Sequence, residues 1–341
     1  MLDTSAAVTF LIVLAVAAIF LNSLCIYIIR ATKSLKNRPS SMLILNLLMI
    51  HLFQGLVVLP LYAAKKFTIK SIFWARFVNN SFRVTYMITF YGTVLGVFCI
   101  SIDRFLATYW LNLYKPRVTV KRVCIGLFLL WAYIFALCMI PFVPATQLNQ
   151  TKSNKTFITM YFYKQQEEWV LFMLLFNTAL PYCLVVIMYT YIIYRLRVLS
   201  DNHTKSGGKI LQQNGTLKMR DKDLKRYRQV AYLTVVLTVS YGVFWTPSFI
   251  YYPLLSFCKS CFPKKFGGSN LEEHLGFITK YLAFFDAVAA PLIYCFYHAD
   301  FRRGLMKIKR SLLHTLHPHP SEIPLTTLNE DSSTPEKMYH T

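Results

Sequence analysis

The sequence predicts an all-α membrane protein, a seven-transmembrane helix bundle with a short amphipathic helix 8. Three observations predict it. Apolar residues make up 55% of the 341 and mean hydropathy is +0.41, a surplus that a soluble core of this size does not need. They gather in seven runs, each close to the ~20 residues that cross a bilayer as a helix. Lys and Arg then concentrate on alternate sides of those runs.

The runs are 6–29, 41–64, 84–102, 124–144, 170–194, 230–253 and 275–297. Stretches 30–40, 110–123, 195–229 and 298–313 hold 23 Lys plus Arg against 4 acids, whereas 1–5, 65–83, 145–169 and 254–280 hold 12 against 5. Basic residues are retained on the cytoplasmic side of short loops. Residues 1–5 are therefore expected outside as the amino terminus, with 6–298 forming the bundle of a multi-pass plasma-membrane protein. So few residues ahead of the first run leave no room for a cleavable signal, and the first helix is expected to serve as its own. The carboxyl terminus is expected in the cytoplasm.

A net charge of +22 raises the question of nucleic acid. These bases flank membrane runs, where anionic lipid headgroups meet them, so membrane lipids and no nucleic acid are the expected partners. After Tyr297, Phe301, Leu305, Ile308 and Leu312 share one face of a helix whose bases lie mostly elsewhere. That pattern predicts a membrane-surface helix over 299–314. The Pro-, Ser- and Thr-rich tail 315–341 is expected to be disordered, with Glu330 to Thr334 a candidate phosphorylation cluster and arrestin a candidate partner through it. The polar stretch 197–226, broken by Gly207-Gly208 and Asn214-Gly215, is expected to be mobile.

Six cysteines, Cys25, Cys99, Cys124, Cys138, Cys183 and Cys295, fall in or at the ends of runs and are expected to pack as small apolar residues. Cys258 and Cys261, in an outer loop, are a disulfide candidate. Asn149-Gln-Thr and Asn154-Lys-Thr are glycosylation candidates on the same side. The sequence offers no His-Glu-x-x-His, nucleophile elbow or paired intramembrane Asp, so no enzyme, cofactor or metal site is expected. It also lacks the repeats and paired broken helices of a transporter.

The third run ends in Asp103-Arg104-Phe105, the sixth carries Phe244-Trp245-Thr246-Pro247 and the seventh Pro291-Leu292-Ile293-Tyr294. Asn22 stands in the first run, Leu45-Asn46-Leu47 in the second, Trp131 in the fourth, and Pro181 with Tyr189 in the fifth. In this order, one motif per run, the chain resembles a rhodopsin-like (class A) G-protein-coupled receptor over roughly residues 6–313. The resemblance implies a receptor that passes an extracellular signal to heterotrimeric G proteins. It also assigns Asp103, Arg104, Tyr189, Trp245, Pro247, Pro291 and Tyr294 to the activation switch. Each proline removes a helical hydrogen bond and lets its helix kink, a defect that neighbours compensate inside a bundle. An Arg at a helix end can equally snorkel to headgroups, and a Trp beside a Pro can be packing alone.

Departures from the family pattern are as informative. The second-helix Asp and the seventh-helix Asn that usually hold sodium are here His51 and Ala290. Asp286 is the only acid deep in any run, and such a residue is costly unless partnered. A pairing of His51 with Asp286 is expected, within a polar core that includes Asn22 and Thr93; the alternative is a neutral His51 bonded to Thr93 or backbone. Tyr227 stands twenty residues before Pro247, where many members place an acid, so basal activity is expected. Asn79 takes the place of the usual helix-three cysteine and 145–169 contains none, which frees that loop from its usual tether.

Ligand identity is less constrained. Tyr86 stands where amine receptors place an Asp, and Phe284 where opsins place the retinal lysine. Arg83 and Lys280 occupy places where nucleotide and lipid-mediator receptors put cations. With Tyr86, Trp245 and Tyr252 they form the candidate ligand site, and a nucleotide-like, lipid or carboxylate anion is the coherent expectation. A peptide ligand, no small ligand, or pairing of these cations with Glu272 and Glu273 or with headgroups stay open. The alternative function is a non-signalling receptor homologue acting as a scaffold.

Overall fold

A computed structural model describes residues 4–67, 70–110, 114–139, 167–205, 221–258, 271–297 and 301–307. Seven helices in it are long and apolar enough to cross a membrane. They are α1 (Thr4–Ala31), α2 (Pro39–Ala64), α3 (Ile72–Tyr109), α4 (Val120–Met139), α5 (Glu167–Leu174 continuing through Leu180–Lys205), α6 (Asp221–Phe257) and α7 (Leu271–Tyr297). A further short helix, α8, covers 301–307. The bundle exterior carries Phe20, Phe128, Ile187, Val243 and Phe296, all more than 60% exposed. Such a belt suits lipid rather than water.

Three helices extend well past the apolar runs. α3 starts at Ile72 rather than at 84 and runs for 38 residues, about 57 Å at the usual rise against the ~30 Å of a hydrocarbon core. Asn79, Asn80, Ser81 and Arg83 lower the hydropathy of its first turns without preventing helix. Likewise, 197–205 and 221–226 are helical extensions of α5 and α6; the rest of the stretch expected to be mobile, 206–220, lies outside the described residues. The glycosylation candidates Asn149 and Asn154, the tail 315–341 and most of the predicted surface helix also lie outside them.

Two single π-helical turns, Gln54–Val58 in α2 and Leu175–Ala179 in α5, precede Pro60 and Pro181. Each ring lacks an N–H and crowds the carbonyl four residues back, and the wider turn absorbs that clash. Pro291 is accommodated differently. It frees the Ala287 carbonyl, and the buried Asn22 Nδ2 donates to that oxygen at 2.8 Å while also donating to Ala18 O at 2.7 Å. Asn22 therefore ties α1 to the point where α7 loses a bond.

Close packing depends on small residues where helices meet, as in membrane bundles generally. A Cβ on Gly55 would meet Ile19 Cγ1 at 3.1 Å and Ala18 Cβ and Ala15 O at 3.2 Å. Gly55→Leu is therefore expected to prise α2 from α1 and destabilise the bundle by about 1–3 kcal/mol, the usual scale of overpacking. A lowered melting temperature of purified protein in detergent would show it; an unchanged melt would mean that α1 yields freely. At the opposite end of α1, Phe301 of α8 is buried with Cys25, Ile28, Ile29 and Tyr294. Cys258 is disulfide-bonded, and Cys261 lies outside the described residues. The other six cysteines are free.

Candidate functional site

Polar and charged residues lie at three levels along the bundle. The middle level is the most enclosed. His51 on α2 is fully buried and Asp286 on α7 is 3% exposed, and His51 Nε2 stands 3.4 Å from Asp286 Oδ2. The same oxygen accepts the indole N–H of Trp245 at 2.9 Å. Thr93 donates to the Thr89 carbonyl at 2.8 Å, spending its proton within α3 rather than on His51. Asp286 thus joins α2, α6 and α7 through one carboxylate oxygen. Isolated, such a charge would be costly to bury. An indole donor and an imidazole that becomes cationic on protonation are the two groups here that offset that cost.

Trp245 has no exposed surface. Its ring is enclosed by Phe90 at 5.1 Å, Tyr241 at 6.0 Å and Tyr86 at 6.1 Å. Pro247, two residues on, lies within the continuous α6, and Ser248 next to it donates to the Thr279 carbonyl of α7 at 3.3 Å. Tyr86 also contacts Phe284 at 6.1 Å and directs its hydroxyl toward Ser248 and Tyr252.

At one end, Arg104 and Asp103 are 8% and 4% exposed. Arg104 donates from Nε to Asp103 Oδ2 at 2.9 Å and from its terminal nitrogen to the same oxygen. The Tyr114 hydroxyl donates to the other Asp103 oxygen. Tyr189 and Tyr294, both buried, have hydroxyls with no protein hydrogen-bond partner, and Tyr294 interacts through space with both Tyr189 and Arg104. Charge-assisted bonds of this kind are the strong ones. Arg104 is thus bonded to a carboxylate of its own helix, with Tyr294 in electrostatic range.

At the opposite end lie Arg83 and Lys280, accompanied by Lys65 and Lys66 from the end of α2. Lys280 Nζ stands 5.8 Å from the centre of the Tyr62 ring and Lys66 Nζ 5.2 Å from the same ring. The candidate ligand residues Arg83, Tyr86, Tyr252 and Lys280 thus lie on this side of Trp245.

Residues 21–294 match the 7 transmembrane receptor (rhodopsin family). The chain belongs to this family. Relatives of the receptor include the octopamine receptor beta-1R of Drosophila melanogaster, 23% identical over 68% of this chain and 47% of that protein. Opsin-VA of Rutilus rutilus is 23% identical over 66% of this chain and 54% of its own length. Trace amine-associated receptor 7e of Rattus norvegicus is 23% identical over 79% and 73%. The first two matches span about half the length of those relatives. Family and relatives are receptors, not enzymes, and the receptor is a multi-pass plasma-membrane protein.

Sequence reasoning missed Trp245 as a partner of Asp286, Tyr114 as a partner of Asp103, and the two lysines beside Arg83. Only the last left a signal, since Lys65-Lys66 stands at the end of a run. Adjacent bases there read equally well as headgroup anchors.

Proposed function

We propose that this receptor, with its amino terminus outside and carboxyl terminus inside, passes an extracellular anionic signal to heterotrimeric G proteins through Arg104. The observation that carries the reading is the closed Arg104–Asp103–Tyr114 group, with the buried hydroxyl of Tyr294 in electrostatic range of Arg104 and that of Tyr189 in range of Tyr294. A cation clamped at rest, with new acceptors within electrostatic range, is a two-state element. The Trp245–Asp286 bond couples α6 to α7 between that element and the cationic end, so a ligand there biases both. Amines named for some relatives do not carry over, because Tyr86 offers a ring face where those receptors place an Asp.

The test is coupling across a panel of G-protein subtypes in cells, beside Arg104→Ala at equal surface density. Basal coupling is expected in at least one channel and is expected to fall to the vector level in the variant. Coupling unchanged by Arg104→Ala would overturn the role of that residue. A second reading, a non-signalling homologue, is favoured by the altered middle level, where His51 and Ala290 replace the family's usual pair. Silence in every channel, persisting when a G protein is fused to the carboxyl terminus, would select it.

A further inference from the structure

Two of the free cysteines, Cys25 on α1 and Cys295 on α7, stand together. Cys25 has no exposed surface and belongs to the apolar cluster of Ile28, Tyr294 and Phe301, against which the half-buried Cys295 packs. The two thiols are hydrogen-bonded to each other. Cys25 Sγ also donates to the Pro291 carbonyl at 3.8 Å.

The pair lies on a seam between the helices. About one turn earlier, Asn22 Nδ2 donates at 2.8 Å to the Ala287 carbonyl that Pro291 leaves free, so α1 grips α7 directly before and directly after the proline. Between those two grips α7 lacks a hydrogen bond of its own, and a helix bends most readily there. Tyr294, next in sequence to Cys295, interacts through space with both Cys25 and Arg104. The placement of α7 against α1 therefore bears on the group around Arg104.

A single cysteine in such a seam is a small apolar filler. Two in contact have a reaction open to them that no aliphatic pair has. We propose that Cys25 and Cys295 are a reversible oxidation site, closed to a disulfide by a hydroperoxide and acting as a clasp between α1 and α7. Cys295, the more accessible sulfur, attacks the hydroperoxide: the O–O bond breaks, an S–O bond forms, and the thiol proton goes to the departing oxygen. The products are a sulfenic acid and an alcohol, or water where the oxidant is hydrogen peroxide. Cys25 then attacks the sulfenic sulfur; the S–S bond forms, the S–O bond breaks, and the Cys25 proton leaves with the hydroxyl as water. The two electrons lost by the thiols are those taken up by the O–O bond. Glutathione, which reaches this end in the orientation proposed above, reverses the step by thiol exchange, as suits a disulfide on the reducing side of a membrane.

A bond formed in the arrangement described here favours that arrangement over any in which α7 moves away from α1. It also closes a loop reaching from the first helix to the seventh, and long loops are those whose closure most constrains the unfolded chain. Cys295 stands near the end of α7, within reach of a soluble peroxide and of a lipid hydroperoxide in the surrounding leaflet.

The test uses the full chain in phosphatidylcholine nanodiscs, exposed either to hydrogen peroxide or to phosphatidylcholine hydroperoxide built into the discs. Remaining thiols are blocked with N-ethylmaleimide and the digest is read by mass spectrometry. A peptide cross-linked through Cys25 and Cys295 is expected, and a phosphine reductant is expected to remove it; the faster arm assigns the source of the oxidant. The oxidised protein is expected to melt about 5 °C or more above the same sample after reduction. Cys25→Ala and Cys295→Ala are each expected to abolish both the cross-link and the rise. Comparing oxidised with re-reduced wild-type protein needs no variant, so the test holds where an alanine substitution impairs folding. In the coupling channel that the subtype panel identifies, oxidation is expected to lower basal nucleotide exchange about threefold, with recovery on reduction. No cross-link at doses that oxidise the exposed Cys124 and Cys183, disulfides to those residues instead, or a complete cross-link that leaves melting and exchange unchanged overturns the proposal. Cross-linking and melting are read without a G protein, so their failure and a failure of the receptor reading are told apart.

Discussion

Asp286→Ala is expected to destabilise the bundle by about 3–5 kcal/mol, the scale for removing one partner of a buried charged pair. The change strips the Trp245 indole of its acceptor at 2.9 Å and leaves His51, 3.4 Å from the lost oxygen, without its carboxylate. Asp286→Asn should cost less, because an amide oxygen still accepts from the indole. His51→Ala should also destabilise, and the double variant should lose less than the two single losses combined, with a coupling of roughly 1–3 kcal/mol. Melting of purified protein in detergent and surface density in cells are the measurements. Strictly additive losses would dissolve the pair and leave two independently hydrated groups.

A group so placed also bears on signalling. Asp286 holds the indole of α6 and faces the imidazole of α2 through a single oxygen, so a motion that carries Trp245 away leaves that oxygen to His51 alone. Partly satisfied polar clusters in a low-dielectric interior are sensitive to such exchanges. The buried side-chain nitrogen and oxygen of Gln54, one turn from His51, have no protein hydrogen-bond partner, nor have the ring nitrogens of His51, whose Nε2 stands at ion-pair distance from Asp286. The middle of this bundle is therefore a place where hydrogen bonds can be redistributed between α2, α6 and α7 without disturbing apolar packing.

Seven spans were legible in the sequence because a bilayer imposes one length and one polarity on every helix that crosses it. Their ends were less legible. Hydropathy reports the slab and not the helix, so Asn79, Asn80, Ser81 and Arg83 concealed the first turns of α3, and nothing in composition announced the π turns before Pro60 and Pro181. The juxtaposition of His51 and Asp286 was legible from cost alone, since two ionisable residues buried in hydrocarbon each need a partner. That Trp245 supplies the hydrogen bond to Asp286 was not, because the direction of an indole N–H depends on the rotamer that Phe90, Tyr241 and Tyr86 allow. Lys65 and Lys66 escaped notice for a related reason. A base at the end of a span has an adequate lipid explanation until the fold shows which rings and which other bases stand beside it.

Asp103→Asn is expected to raise basal coupling about tenfold at matched surface density. At rest the buried Arg104 is held by a carboxylate that is itself oriented by the Tyr114 hydroxyl. Hydrogen bonds to charged groups contribute about 1.5–3 kcal/mol each, and 1.4 kcal/mol already shifts a two-state equilibrium tenfold. Replacing the carboxylate with an amide removes the charge but keeps the shape, so the closed state loses its advantage while the rest of α3 stays packed. The acid that could share this load from α6 is absent, since Tyr227 stands at that position. Tyr114→Phe should act in the same direction and more weakly, because it withdraws only the bond that orients the carboxylate. Adding Arg104→Ala to either variant should return coupling to the vector level, since the released group is then missing. Basal coupling that stays flat or falls in Asp103→Asn, with Arg104→Ala still silent, would mean that the ion pair holds Arg104 ready for the G protein rather than away from it.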